Sequence, residues 1–214
     1  MSLRPGRDKH SGPGMVRPSV ERANPFNGHE ELMTDPVYLI GNGRSREHFD
    51  LERLRGKGTI IGCNALYREF SPDLLIVIDS KLITEVRKSS YEGQTIIPAN
   101  RSVTIPNAMV WRVDRFNTSG CFGMKMIDTL MRPETCYMLG MDCYAGNVYD
   151  GTINYSDNTL QNFAGISSYY LKALNAADGT MFINVNPVDA WDSLAHDSGN
   201  YSTMTYDEFE TVLG

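Results

Sequence analysis

Asn42, Asn64, Asp79 and Asp142 each stand just past a run of β-branched or bulky apolar residues. A short amide or carboxylate at such a point can hydrogen-bond a base, a ribose or a metal held by phosphate. Singly, each suits a helix cap or a turn equally well. Four in the same setting point to one site. The first belongs to Val37-Tyr38-Leu39-Ile40-Gly41-Asn42-Gly43-Arg44-Ser45, a short apolar run that ends in a Gly-x-Gly turn. Gly41 and Gly43 permit a tight turn and a close approach of backbone N–H groups to a ligand. Ser45 offers a hydroxyl and is placed to cap a helix over residues 46–55. A strand, a Gly turn and a helix start together suit a phosphate or a nucleotide. Asn117-Thr118-Ser119-Gly120 is a second turn of this kind, again with helical spacing behind it at Met124, Ile127 and Met131.

The elements that must position these residues alternate along the chain. Strands are expected over 37–40, 59–63, 74–78, 95–98, 109–113, 135–139 and 181–185. Between and after them, helices are expected over 46–55, 80–88, 121–131, 160–176 and 205–213. Residues 144–158 are rich in Tyr, Gly, Asn and Asp and read as a loop. Such alternation predicts an α/β fold, a Rossmann-like, mainly parallel sheet of about six strands with helices on both faces. In that architecture the polar residues past the strands share one edge, where ligands bind. Residues 36–214 form a single nucleotide-binding domain in this reading. Residues 1–35, with Arg, Lys, Gly, Pro, Ser and Asn and little apolar periodicity, read as a flexible extension.

Composition narrows the function. The 214 residues carry a net charge of -6, which argues against a protein that grips nucleic acid by bulk charge. No apolar run is long enough to span a bilayer, and no secretory leader pattern opens the chain. Cys63, Cys121, Cys136 and Cys143 have no C-x-x-C spacing and sit in or beside apolar stretches, as buried free thiols do. A reducing, cytoplasmic setting fits them.

Two blocks carry a resemblance. Gly41-Asn42-Gly43-x-Ser45 with Phe49-Asp50 and Gly62-Cys63-Asn64-x-x-Tyr67 resembles the opening of bacterial sialyltransferases that use CMP-sialic acid. Thr118-Ser119-Gly120, followed by Cys136-Tyr137-Met138-Leu139-Gly140-Met141-Asp142-Cys143-Tyr144, resembles their second nucleotide-binding segment. The same blocks, with Pro72-Asp73 and Ile78-Asp79 between them, are similar to a broader Rossmann-like family. That family includes an archaeal pyrophosphokinase acting on hydroxymethyl-dihydropterin. Residues 36–150 carry the likeness. It implies that Asn42, Asn64, Thr118, Ser119 and Gly120 face a nucleotide. It also implies that two tyrosines after the second block, Tyr144 and Tyr149 here, hydrogen-bond the departing phosphate; their spacing is shorter by one residue than the family's. The family's histidine base lies between the tyrosine loop and the next helix, and residues 150–180 contain no His. His196, beside Asp192 and Asp197, is the substitute candidate, with Asp142 or Asp157 as others.

The resemblance implies a glycosyltransferase of sialyltransferase type, with a CMP-linked sugar as donor and no cofactor required. A glycan or small-molecule acceptor is its second substrate, and a second copy of the chain is a candidate partner. A pyrophosphokinase-like enzyme is the alternative, with Asp79 and Asp142 holding Mg²⁺ on ATP phosphates. A nucleotide-binding protein without catalysis is the third reading.

Overall fold

Every strand of the sheet runs in the same direction. In the computed structural model, residues 35–112, 118–143, 146–156, 163–187 and 198–214 are described. Their eight strands are β1 (Val37–Ile40), β2 (Thr59–Cys63), β3 (Leu74–Ile76), β4 (Thr95–Pro98), β5 (Met109–Trp111), β6 (Thr135–Leu139), β7 (Met181–Val185) and β8 (Tyr201–Met204). They lie in the order β5-β4-β3-β2-β1-β6-β7-β8, and each neighbouring pair is parallel. In register, Val37 sits beside Thr59 on one side and Cys136 on the other. The helices are α1 (Ser80–Lys88), α2 (Ser119–Met126), α3 (Phe163–Ala176) and α4 (Tyr206–Leu213). The architecture is Rossmann-like α/β, as the alternation predicts, with one strand, β8, beyond the seven expected segments and a sheet wider than the six or so strands expected.

Burial on both faces explains the strand composition. All four residues of β1 are buried. Val37 and Leu39 join Cys121, Phe122 and Met126 of α2 and Leu174 of α3 in one core. Tyr38 and Ile40 join Ile83 and Val86 of α1 and Phe209 of α4 in the other. A strand packed on both sides needs continuous apolar residues rather than alternation. Each Val, Leu or Ile so buried contributes about 1.5–3 kcal/mol.

Three local expectations are corrected. Residues 46–55 do not form one helix. They contribute to two 3-10 turns, Arg44–Arg46 and Leu51–Leu54, and Asp50 opens the second by accepting from the Glu52 amide at 3.1 Å. Arg46 is buried. The strand expected over 74–78 ends at Ile76. The helix expected over 121–131 begins at Ser119 as α2 and passes into a π-helix, Ile127–Met131, closed by left-handed Arg132 ahead of Pro133. Residues 1–34 of the expected extension lie outside the described residues. Among the described residues, no helix is long and apolar enough to cross a membrane.

Candidate functional site

Strands β1 and β6 are neighbours, yet the chain leaves them in opposite directions across the sheet, β1 toward β2 and β6 toward β7. Turns leaving such a pair diverge and open a crevice at the carboxyl edge. Here the two turns are first laced together. The Gly41 amide donates to Leu139 O at 2.8 Å, and the Gly43 amide to Gly140 O at 2.8 Å. Side chains would block this approach. A Cβ on Gly41 would fall 2.2 Å from Gly140 O, and one on Gly43 would fall 2.3 Å from the Asp142 carboxyl. Gly43 itself has an extended backbone (φ -68°). The left-handed position is Gly140 (φ +67°). The glycines of the first turn therefore serve close packing of chain on chain rather than unusual backbone angles.

Asp142 closes the clamp. Its Oδ2 accepts from the Ser45 amide at 2.8 Å, and its Oδ1 from the Ser45 hydroxyl at 2.6 Å. Charge-assisted bonds of this kind are the stronger sort. Tyr206 of α4 donates to Ser45 O at 2.9 Å. Beneath the turn, the Arg46 guanidinium is 4% exposed and donates to Gly41 O at 2.7 Å, to Glu69 at 2.8 Å and to Tyr149 at 3.2 Å. The Tyr149 hydroxyl in turn donates to Glu69 at 2.5 Å. Burial raises the Glu69 carboxyl, but the bonds from Tyr149 and Arg46 outweigh it and hold the group below its ordinary value.

The opposite wall comes from β2, β3 and α2. Asn64 adopts the left-handed conformation (φ 51°), which Asn tolerates better than most residues. From there its Nδ2 donates to Ser119 Oγ at 3.1 Å, and its Oδ1 accepts from the Ile78 amide at 3.3 Å. One amide thus ties three elements. Below it, burial pushes the Cys63 thiol up to about 12, so it stays protonated and inert. Thr118 caps α2 by accepting from the Cys121 amide at 3.0 Å, and Asp79 caps α1 by accepting from the Lys81 amide at 2.7 Å. The first turn of α2 presents the positive end of its dipole to the crevice.

Between these walls lies a cleft of about 210 Å³. Gly41, Asn42, Gly43, Asn64, Asp79, Thr118, Ser119, Gly120 and Asp142 all line it. Ser45, from the same motif, stands behind the wall as the partner of Asp142 instead of capping a helix or facing the cleft. Tyr149 also sits behind the wall, 7% exposed and engaged with Glu69 and Arg46. Among the described residues of that loop, the tyrosine that enters the cleft is Tyr155, which receives a hydrogen bond from Asn42 Nδ2 at 3.2 Å. Burial holds the Tyr155 phenol well above its ordinary value, so it is neutral at physiological pH. Asn42 Oδ1 is buried with no partner among the described residues. Tyr170 of α3 is a second lining tyrosine that the sequence patterns did not single out. Tyr144, Asp157, Asp192, His196 and Asp197 lie outside the described residues. Among the described residues, no three His, Cys, Asp or Glu side chains gather as metal ligands would.

No family model matches the chain. A search of curated proteins likewise gives no significant match.

Proposed function

We propose that this chain binds a nucleotide across the β1–β6 switch point and transfers a sugar from a nucleotide-linked donor, CMP-linked by the resemblance of its two motif blocks. The observation that carries the reading is convergence. Residues 41–43, Asn64 and residues 118–120 are far apart in sequence, carry the two resembling blocks, and line one cleft. The cleft is smaller than the roughly 300–1,000 Å³ typical of whole small-molecule sites. Its volume suits a nucleoside or nucleoside phosphate, with the sugar extending beyond it.

In such a transfer, an acceptor hydroxyl attacks the anomeric carbon. The bond from that carbon to the phosphate oxygen breaks, and the nucleoside monophosphate leaves with the electron pair. A base takes the hydroxyl proton. Tyr155 accepts from Asn42, which leaves its own proton to donate to the charge developing on the phosphate. Backbone N–H groups at the start of α2 add to that stabilisation. Asp142 is a poor base because both its oxygens hold Ser45.

One observation favours the Mg²⁺-dependent phosphotransfer alternative: Asp79 and Asp142 both line the cleft. Their bonds to Lys81 and Ser45 would have to be shared with the cation. A thermal-shift panel of CMP, CDP, UDP, GDP and ATP, each with and without Mg²⁺, separates the readings. The transferase reading expects CMP to stabilise without metal. A ligand at a hundred times its Kd adds about 2.7 kcal/mol, enough for a clear rise in Tm. Stabilisation by ATP only with Mg²⁺ moves the case to phosphotransfer. Binding of CMP with no turnover of any CMP-linked sugar would leave a non-catalytic binder.

A further inference from the structure

Of the described residues between β6 and α3, residues 152–155 are gathered around a cation that lies outside the cleft. Arg68, in the 3-10 turn Asn64–Arg68 that follows β2, donates from Nη1 to Thr152 Oγ1 at 2.7 Å and from Nη2 to Ile153 O at 2.7 Å. Its guanidinium lies 5.6 Å from the ring centres of both Tyr149 and Tyr155. Glu85 of α1 fixes the guanidinium from the other side, accepting from Nε at 2.8 Å and from Nη2 at 2.8 Å. The same carboxylate accepts from Asn154 Nδ2 at 2.5 Å and from the Tyr67 hydroxyl at 2.6 Å. Residues 152–155 are thus held at four successive positions, and the last of them, Tyr155, reaches Asn42 in the cleft.

We propose that Arg68 and Glu85 form a latch that positions Tyr155 over the nucleotide, making Arg68 a positioning residue for the site. The nucleotide half of this inference rests on the function proposed above; the latch itself does not. Arg68 lines no part of the cleft and acts through the loop. A planar, five-donor guanidinium is suited to the task, because it can bond a carboxylate, a hydroxyl and a carbonyl while stacking on rings. Lysine cannot reproduce that fork.

Two measurements test it. The first is amide hydrogen exchange on the ligand-free protein. R68M is expected to speed exchange of the amides over residues 147–155 by about tenfold, with β1 and β6 unchanged. The variant N154D provides a milder break at an exposed position. It keeps a side chain that tolerates the left-handed backbone there (φ 67°) and sets a carboxylate against Glu85. It should raise exchange in the same segment. Unchanged exchange in both variants overturns the latch. The second measurement is CMP affinity by calorimetry in a double-mutant cycle with Y155F. R68M and Y155F are each expected to weaken binding about five- to tenfold, and R68M to add little in the Y155F background. Effects that multiply in full would overturn action through Tyr155. If the wild-type protein binds no nucleotide, the functional reading fails, and the exchange experiment alone decides whether Arg68 holds the loop.

Discussion

At the scale of single residues, the site is held by polar groups turned toward the protein as much as toward a ligand. Gly43 shows the consequence. A Cβ there meets the Asp142 carboxyl, so Gly43→Ala should displace Asp142 from Ser45 and cost about 1–3 kcal/mol in urea unfolding. Asp142→Gly in that background should cost less than it does in the wild type, because the clash and the clamp involve the same atoms. Arg46→Met removes the donor to Gly41 O and strips Glu69 of its cation; a loss of about 2–4 kcal/mol is expected by the same method. Asn64, Asp79 and Asp142 were legible in the sequence because a polar residue ending an apolar run has few places to go in a parallel sheet. Tyr155 was not. A tyrosine in an irregular loop has no periodicity to betray its direction, and only the fold shows that Tyr149 turns inward while Tyr155 turns to the cleft. The role of Ser45 was hidden for a related reason, since its partner Asp142 is 97 residues away.

Elements differ in how openly they were written. The inner strands announced themselves because burial on both faces demands unbroken apolar residues. Strand β8 did not. Among the described residues, Tyr201-Ser202-Thr203-Met204 pairs only with β7, at the sheet edge, and it is largely half-buried, so no apolar run marks it. The segment after β1 misled, because in place of the helix expected over 46–55 Asp50 starts a separate 3-10 turn, Leu51–Leu54. The loop from β6 to α3 adds a pH dependence through Glu85. Burial raises that carboxyl, but bonds from Tyr67, Arg68 and Asn154 outweigh it and hold the group below its ordinary value. A depressed carboxyl stabilises the fold above its unfolded pKa, and that contribution fades as pH falls through the folded value. Glu85→Gln should therefore be less stable than wild type at neutral pH. The two Tm curves should converge on acidification below the ordinary glutamate value of about 4.3, as wild-type Glu85 also takes up its proton.

The whole molecule is a parallel sheet whose two cores meet at β1. The last helix closes one of them: Phe209 of α4 packs its ring against Tyr38 at 6.1 Å, Phe49 at 5.6 Å and Tyr137 at 5.2 Å. Phe209→Ala should cost about 3–5 kcal/mol in chemical denaturation, since three rings lose a common neighbour. Tyr206 of the same helix bonds Ser45 and stacks on Phe49 at 5.2 Å, so the C-terminal element also supports the cleft wall. The central claim is that a nucleotide binds where β1, β2, β6 and α2 converge. Titration of CMP into isotope-labelled protein, followed by amide NMR shifts, tests it most directly. The account predicts saturable shifts concentrated at Gly41, Asn42, Gly43, Asn64, Ser119 and Gly120. Shifts confined to the groove lined by Tyr67, Ser89 and Tyr91, or no shifts with CMP or any other nucleotide, would contradict it.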